Sequence, residues 1–294
     1  MGIQRETLRR MATTFRVRSV LAKQCLAECL GTLIHTMLSC GAMAQYTLSR
    51  GEQREFLTLT FTLGFAVALG ILVTGKVSGA HLNPAVTFAL CLLACEPWIK
   101  FPFFFVAQTL GAFFGSGIMF GLYHNAIMHY GNNQLTIIGP NSTAAIFTTY
   151  PSEDLTVVNG FLDHVIGTAA LIFCILTIAD PLKRPVATGL EAFTIGFVVL
   201  IVGLSMGFNS KYCLNPARDI GPRLFSAMAG WGYDVFSTGN YWFWVPVLSP
   251  IVGAMFGVLV YQFMVGLQVE TKSNCTSHSE ETVKLTSVKA KGRR

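Results

Sequence analysis

Two stretches of this chain, Ser78-Gly-Ala-His-Leu-Asn-Pro-Ala85 and Lys211-Tyr-Cys-Leu-Asn-Pro-Ala-Arg-Asp219, place Leu-Asn-Pro-Ala at the start of an apolar run. Proline suits the first turn of a helix, because the N–H that it lacks would have no intrahelical partner there. The asparagine before it can cap the helix and still offer side-chain N–H donors. If both helices begin inside a membrane, their positive dipole ends and amides face one point, which is the geometry of a pore centre.

The composition excludes an ordinary soluble domain, because 52% of the 294 residues are hydrophobic, 12% are charged and the mean hydropathy is +0.53. Apolar stretches long enough to cross a bilayer, about 20 residues, lie near Cys25–Ala44, Phe56–Thr74, Phe101–His124, Gly160–Ala179, Gly189–Gly207 and Trp242–Leu267. The runs after the two Asn-Pro-Ala motifs, Ala85–Cys95 and Ile220–Ala229, are too short to cross alone. We therefore expect an all-α membrane protein with six transmembrane helices and two re-entrant half-helices.

The net charge of +6 is concentrated at the two ends of the chain, which argues against nucleic acid as a partner. Six basic residues precede the first span and six follow the last, whereas the loop from 125 to 159 has none. By the positive-inside rule both termini are cytoplasmic, in a multi-pass protein of the cell membrane. The 125–159 loop is then extracellular, and its sequon at Asn141 is a predicted glycosylation site.

An internal repeat organises the spans. Four pairs of short stretches match in the same order, at separations of 132 to 142 residues; among them are Gly64-Phe-Ala-Val67 with Gly196-Phe-Val-Val199 and the two Asn-Pro-Ala motifs. Each copy holds three spans and one half-span, so the copies cross the membrane in opposite orientations, an arrangement that forms a substrate path at the midplane. The predicted regions are a basic arm (1–19), a channel domain (20–268, with repeats at about 20–125 and 159–268 joined by the extracellular loop) and a disordered cytoplasmic tail (269–294).

At these motifs the chain resembles the major intrinsic protein family, and within it the aquaglyceroporins. Ser78–Val86 and Asn215–Phe225 carry the likeness, which covers roughly residues 18 to 267. The stretches 96–100, 219–225 and 283–285 look most like the aquaporin-three type. The resemblance implies a homotetramer in the lipid bilayer, with one pore per subunit that passes glycerol, water and often urea without energy input.

The pore centre is predicted at Asn83 and Asn215, whose amides would orient a passing hydroxyl; the alternative is that they are simple N-caps. Arg218 follows the second motif, and a membrane-buried arginine is costly and tends to be functional. By resemblance it belongs to the selectivity filter on the outer side of the centre, the alternative being a salt bridge to Asp219. Asp219 itself, by resemblance, marks glycerol conductors and shapes the loop.

The other filter positions follow from the resemblance alone: Leu63, Gly203 and Tyr212. The family places an aromatic residue where this chain has Leu63, so we expect a wider wall that still passes polyols, with looser exclusion by size. Gly203 leaves room, and Tyr212 offers an apolar face to a carbon chain opposite Arg218.

Four residues are predicted to support the filter and the loops. By resemblance Glu28 braces a re-entrant loop, and His164 stands at the equivalent position, where it departs from the usual glutamate and adds a titratable group. His81 is either a structural contact or a pH-sensitive inner gate. Cys213, beside the filter, is expected to make the pore sensitive to thiol reagents.

The sequence contains no nucleophile–base array, phosphate-binding loop or His/Cys cluster with metal-ligand spacing. We therefore expect that the protein is not an enzyme and that it binds neither a cofactor nor a metal. We expect a passive channel for glycerol, water and small uncharged solutes such as urea that excludes ions and protons. Two alternatives stay open: a coupled secondary transporter, which also uses inverted repeats, and a cell-contact protein with a vestigial pore.

Overall fold

The computed structural model describes residues 2–14, 16–49, 55–179, 186–187, 189–209 and 213–268. The predicted tail, 269–294, and the predicted filter residue Tyr212 lie outside the described residues. The chain divides into two compact units, Met1–Val258 and Leu259–Arg294. The described part of the second unit is the end of the last long helix and a 3-10 turn at Gly266–Gln268.

The described residues form ten α-helices and no strand, which confirms the all-helical class. The helices are α1 (Gly2–Thr14), α2 (Val20–Leu48), α3 (Phe56–Ser78), α4 (Pro84–Leu92), α5 (Lys100–Tyr130), α6 (Val157–Ala179), α7 (Glu191–Met206), α8 (Pro216–Ser226), α9 (Asp234–Tyr241) and α10 (Val245–Met264). Five helical segments of the described chain are long and apolar enough to cross a membrane, and α9 and α10 count as one of them. The remaining predicted span is α7, which is apolar but has only 16 residues.

The two half-helices begin where the Asn-Pro-Ala motifs predict. Pro84 and Pro216 are the first residues of α4 and α8. The asparagine before each has an extended backbone, and its side-chain oxygen accepts a hydrogen bond from the N–H of Ala85 (2.8 Å) or Ala217 (3.1 Å). Both asparagines are therefore N-caps, which leaves their amide nitrogens for other partners.

Glycines at repeat-equivalent positions bring the helices together. Gly64 on α3 and Gly196 on α7 face each other so closely that a Cβ atom added to Gly64 would lie 2.5 Å from the carbonyl oxygen of Gly196. The same holds for Gly253 on α10, where an added Cβ would lie 2.5 Å from the carbonyl oxygen of Val165 on α6. Close backbone contact at small residues is typical of helix packing in membranes.

The connections differ most from the sequence expectations. The 125–159 loop was treated only as an extracellular connection, but it contains a 3-10 turn, Ala144–Ile146, followed by the buried residues Phe147 and Thr148. The second apolar run ends in a π-turn, after which the chain forms α9 before the last long helix. Trp231, at the π-turn, is buried with its ring centroid 5.4 Å from that of Phe147. These loops were misread because aromatic contacts between distant residues hold them, and such contacts leave no local pattern.

Candidate functional site

The two half-helices meet through a reciprocal exchange of hydrogen bonds. Asn83 Nδ2 donates to the carbonyl oxygen of Leu214 at 2.9 Å, and Asn215 Nδ2 donates to the carbonyl oxygen of Leu82 at 2.8 Å. Each amide therefore bonds to the residue that precedes the other asparagine. The N-termini of α4 and α8 consequently converge on one point, with both amides beside it.

A cavity passes this point, and both asparagines line it. One side is apolar and comes from α3, α6 and α7, with Leu63, Val67, Ile71, Leu171, Ile175, Ile195 and Val199. The polar side chains that line it are Asn83, Asn215, Arg218, His35, His81, Thr148 and Thr149. The cavity is therefore amphipathic, because its lining combines hydrogen-bonding groups with apolar side chains.

Of the predicted filter residues, Leu63 and Arg218 line this cavity. Gly203 is buried in α7 and does not line the part of the cavity that the described residues bound. The two aromatic side chains nearest in sequence to Leu63 do not replace it, because Phe61 and Phe65 are 44% and 36% exposed and stack on each other (ring centroids 6.1 Å apart). The wall at position 63 is thus a branched aliphatic side chain.

The side chain of Arg218 is held by the 125–159 loop rather than by its sequence neighbour Asp219. Its Nη1 donates to the carbonyl oxygen of Phe147 at 2.6 Å. The alternative partner, Asp219, instead pairs with Arg223, whose Nε donates to Asp219 Oδ1 at 2.8 Å. The guanidinium of Arg218 therefore takes its position from the backbone of the 125–159 loop.

Asp219 and Arg223 fix that same loop, and both are fully buried. Asp219 Oδ2 accepts hydrogen bonds from the N–H (3.0 Å) and the hydroxyl (2.6 Å) of Thr149, and Arg223 Nη2 donates to the carbonyl oxygen of Thr149 at 2.7 Å. Arg223 also lies 5.1 Å from the ring centroid of Tyr150. Burial raises the pKa of the Tyr150 hydroxyl, so this loop residue stays neutral. The sequence analysis missed Arg223, although its spacing of four from Asp219 is that of a helical ion pair.

Glu28 joins the first re-entrant loop to α5. Its carboxylate is fully buried and accepts four hydrogen bonds: from the Ser78 hydroxyl (2.6 Å), the N–H groups of His81 (2.9 Å) and Leu82 (2.7 Å), and Gln108 Nε2 (2.8 Å). All four partners donate, two to each carboxylate oxygen, so neither oxygen is left without a partner. The loop that presents Asn83 is thereby held at both ends, at Ser78 and at His81 and Leu82.

His164, the repeat equivalent of Glu28, has different contacts. Its Nδ1 lies 2.8 Å from the carbonyl oxygen of Gly160, one turn back in α6, and its buried Nε2 has no partner among the described residues. Its ring packs edge-on against Trp242 (centroids 5.7 Å apart). The bracing role that the sequence analysis gave it stays a prediction.

His81 and Cys213 both line the cavity, and each stands two residues before one of the paired asparagines, Asn83 or Asn215. His81 Nδ1 lies 3.1 Å from the Thr87 hydroxyl, and its Nε2 lies 3.9 Å from a carboxylate oxygen of Glu96. Cys213 is 5% exposed, and its Sγ lies 3.7 Å from the carbonyl oxygen of Asn215. The choice between contact and gate for His81, and the thiol sensitivity expected of Cys213, stay predictions.

Comparison with known proteins gives consistent matches over the helical region. The model of the family "Major intrinsic protein" matches residues 16–261. Human aquaporin-10 is 48% identical over 252 residues, covering 86% of this chain and 84% of the relative, and human aquaporin-9 is 44% identical over 249 residues, covering 85% and 84%. The X-ray structure of the aquaglyceroporin from Plasmodium falciparum superimposes with a TM-score of 0.76 at 31% identity, covering 84% of this chain and 98% of that one. The finer likeness to the aquaporin-three type stays a prediction.

Proposed function

Because this chain belongs to the major intrinsic protein family, we propose that it is a passive transmembrane channel that conducts glycerol, water and small uncharged solutes such as urea. It is a transport protein, not an enzyme. The observation that carries the proposal is the amphipathic cavity that runs past the paired asparagines and Arg218. A polyol has a carbon backbone on one side and hydroxyls on the other, and this cavity offers a partner to each.

The centre accounts for the exclusion of ions and protons. One N–H of each asparagine amide is used in the exchange with the opposite half-helix, and the amide keeps a second donor for a passing oxygen. The positive ends of the α4 and α8 dipoles point at the same place, which opposes cations and interrupts a chain of proton-conducting water. The guanidinium of Arg218 repels cations a second time and can donate two hydrogen bonds to adjacent hydroxyls.

The same centre argues against the rival transporter. Alternating access requires the two halves to rock against each other around the site. Here the halves are tied across the site by the two bonds between Asn83 and Leu214 and between Asn215 and Leu82. A static pore needs no rearrangement of these bonds.

The proposed oligomeric state and membrane topology are those that membership of the family suggests. We propose a homotetramer in the cell membrane, with one pore per subunit and both termini in the cytoplasm. Arg218 and the other filter positions, together with the supporting residues Glu28, His164, His81, Asp219 and Cys213, belong to this proposal.

Stopped-flow light scattering on liposomes that hold the purified protein tests the function. We expect rapid shrinkage in hyperosmotic glycerol followed by rapid refilling, at rates well above those of protein-free liposomes. Shrinkage without refilling would indicate a water-only pore. No protein-dependent change at all would favour the contact role, and saturable uptake driven by an ion gradient would favour a coupled transporter.

A further inference from the structure

His35 is a buried histidine on α2 that the pore residues discussed so far do not include. It is 7% exposed and lines the same cavity as the two asparagines and Arg218. Neither ring nitrogen has a hydrogen-bond partner among the described residues, and of the two only Nδ1 is fully buried; the backbone oxygen accepts a hydrogen bond from the Ser39 hydroxyl. Buried polar groups in proteins are almost always hydrogen-bonded. An imidazole without a protein partner in the wall of a cavity therefore indicates a partner that enters the cavity.

The position of His35 along the cavity follows from α2. Glu28, on the same helix, holds the loop that presents Asn83, and His35 lies seven residues further on, about 10 Å along the helix axis. Arg218, in the first turn of α8, lines the same cavity as His35. The imidazole therefore belongs to the segment between the pore centre and Arg218.

In this segment the Arg218 side chain can only donate hydrogen bonds to a permeant, because it has no acceptor. The side-chain oxygens of Asn83 and Asn215 already accept hydrogen bonds from the N–H groups that they cap, which reduces their capacity to accept from a permeant. A hydroxyl that accepts from these donors still carries its own proton, which needs an acceptor. A neutral imidazole has one acceptor nitrogen as well as one donor, so it can complete the pair.

We propose that His35 binds the permeant: its imidazole hydrogen-bonds a hydroxyl of a polyol that passes between the centre and Arg218, and so favours glycerol relative to water. The proposal rests on the channel function stated above. A polyol fills the cross-section and exchanges its hydration for groups of the wall, whereas water molecules also bond to one another. Loss of the imidazole consequently affects glycerol more than water.

The test measures the permeabilities of glycerol and water in the same liposome preparation, so that differences in reconstituted amount cancel in their ratio. The variants are His35→Leu, which removes the polar atoms at similar size, and His35→Gln, which keeps a donor and an acceptor. Thr36→Val is the matched control, because Thr36 is also buried with an unpartnered side chain on α2 but does not line the cavity.

We expect the ratio of glycerol to water permeability to fall about two- to tenfold in His35→Leu, the factor that one net hydrogen bond represents. It should recover at least in part in His35→Gln and stay unchanged in Thr36→Val. An unchanged ratio in His35→Leu, or an equal fall in the Thr36→Val control, would overturn the proposal, since either result describes a merely structural histidine. A wild-type protein that fails to pass glycerol would instead overturn the channel function itself, so the two failures are distinguishable.

Discussion

At the scale of single residues, the outer part of the pore depends on an ion pair that never touches the permeant. Asp219 and Arg223 are buried side by side, and together they make three hydrogen bonds to Thr149. Two residues earlier, the carbonyl oxygen of Phe147 holds Arg218. The position of Arg218 is therefore set by a loop whose anchor is a buried charge pair.

Removing one charge of that pair should weaken both stability and selectivity. In Asp219→Asn the Arg223 guanidinium stays buried without its carboxylate, at a cost of about 3 kcal/mol. We expect a lower midpoint of thermal unfolding in detergent and a changed ratio of glycerol to water permeability. Glu6→Gln is the control, because the Glu6–Arg10 pair on α1 is exposed and contributes little. Equal midpoints for the two variants would show that the buried pair does not anchor the loop.

The filter wall at Leu63 gives a second prediction. Leu63 lines the cavity at the position where the resemblance places an aromatic side chain. Leu63→Phe should narrow the passage, so that the permeability of a four-carbon polyol falls more than that of glycerol, while water changes least. Solute-specific refilling rates in liposomes measure this. A uniform fall for all three permeants would indicate a general obstruction rather than exclusion by size.

At the scale of elements, the half-helices were predictable and the loops were not. The Asn-Pro-Ala motif predicts a helix start locally, because the proline favours the first turn and the asparagine caps it. The half-helices α4 and α8 accordingly begin at Pro84 and Pro216. The Phe147–Thr149 segment contains no local motif that predicts its conformation. It is defined by Arg218, Asp219 and Arg223, about 70 residues away in sequence. The role of His35 was not predicted for a similar reason, because the sequence around a single histidine in a span does not indicate that it lines a cavity.

The crossing of α3 and α7 gives a prediction at this scale. Gly64→Ala would place a methyl group against the carbonyl oxygen of Gly196, so the helices must separate, at a cost of about 1–3 kcal/mol. Since both helices supply the apolar wall, we expect lower thermal stability together with altered glycerol permeability.

Gly121→Ala on α5 is the matched control for Gly64→Ala. An added Cβ at Gly121 has no neighbour within 4 Å, and alanine favours a helix over glycine by about 1 kcal/mol. Gly121→Ala should therefore be neutral or stabilising. If Gly64→Ala behaved in the same way, close contact at the crossing would not limit the packing of α3 and α7.

At the scale of the whole molecule, the repeat is symmetric at the centre and asymmetric around it. The asparagine exchange is reciprocal, and the glycines at positions 64 and 196 face each other. The supports differ: Glu28 holds its loop through four hydrogen bonds, whereas His164 occupies the equivalent place with a bond inside its own helix. The centre therefore keeps the symmetry of the repeat, whereas the supports around it do not.

Membrane orientation follows from the repeat and the charges, and glycosylation at Asn141 tests it. If the 125–159 loop is extracellular, a glycan on Asn141 should slow the protein in gel electrophoresis, and glycosidase treatment should remove the shift. Asn141→Gln should abolish the shift. Asn274→Gln should not, because that sequon lies in the predicted cytoplasmic tail, outside the described residues. A shift that survives in Asn141→Gln and disappears in Asn274→Gln would invert the orientation.

The structure also predicts when the glycan can be added. Thr143, the third residue of the sequon, is fully buried, and its hydroxyl accepts a hydrogen bond from the indole N–H of Trp231 at 3.2 Å. An enzyme that must recognise the threonine cannot reach it once the loop has packed against the π-turn after α8. Transfer should therefore occur during synthesis and not on the folded protein. Unglycosylated protein, purified in its folded state and incubated with oligosaccharyltransferase and donor, should stay unmodified, whereas the same protein unfolded in denaturant and diluted into the assay should accept the glycan.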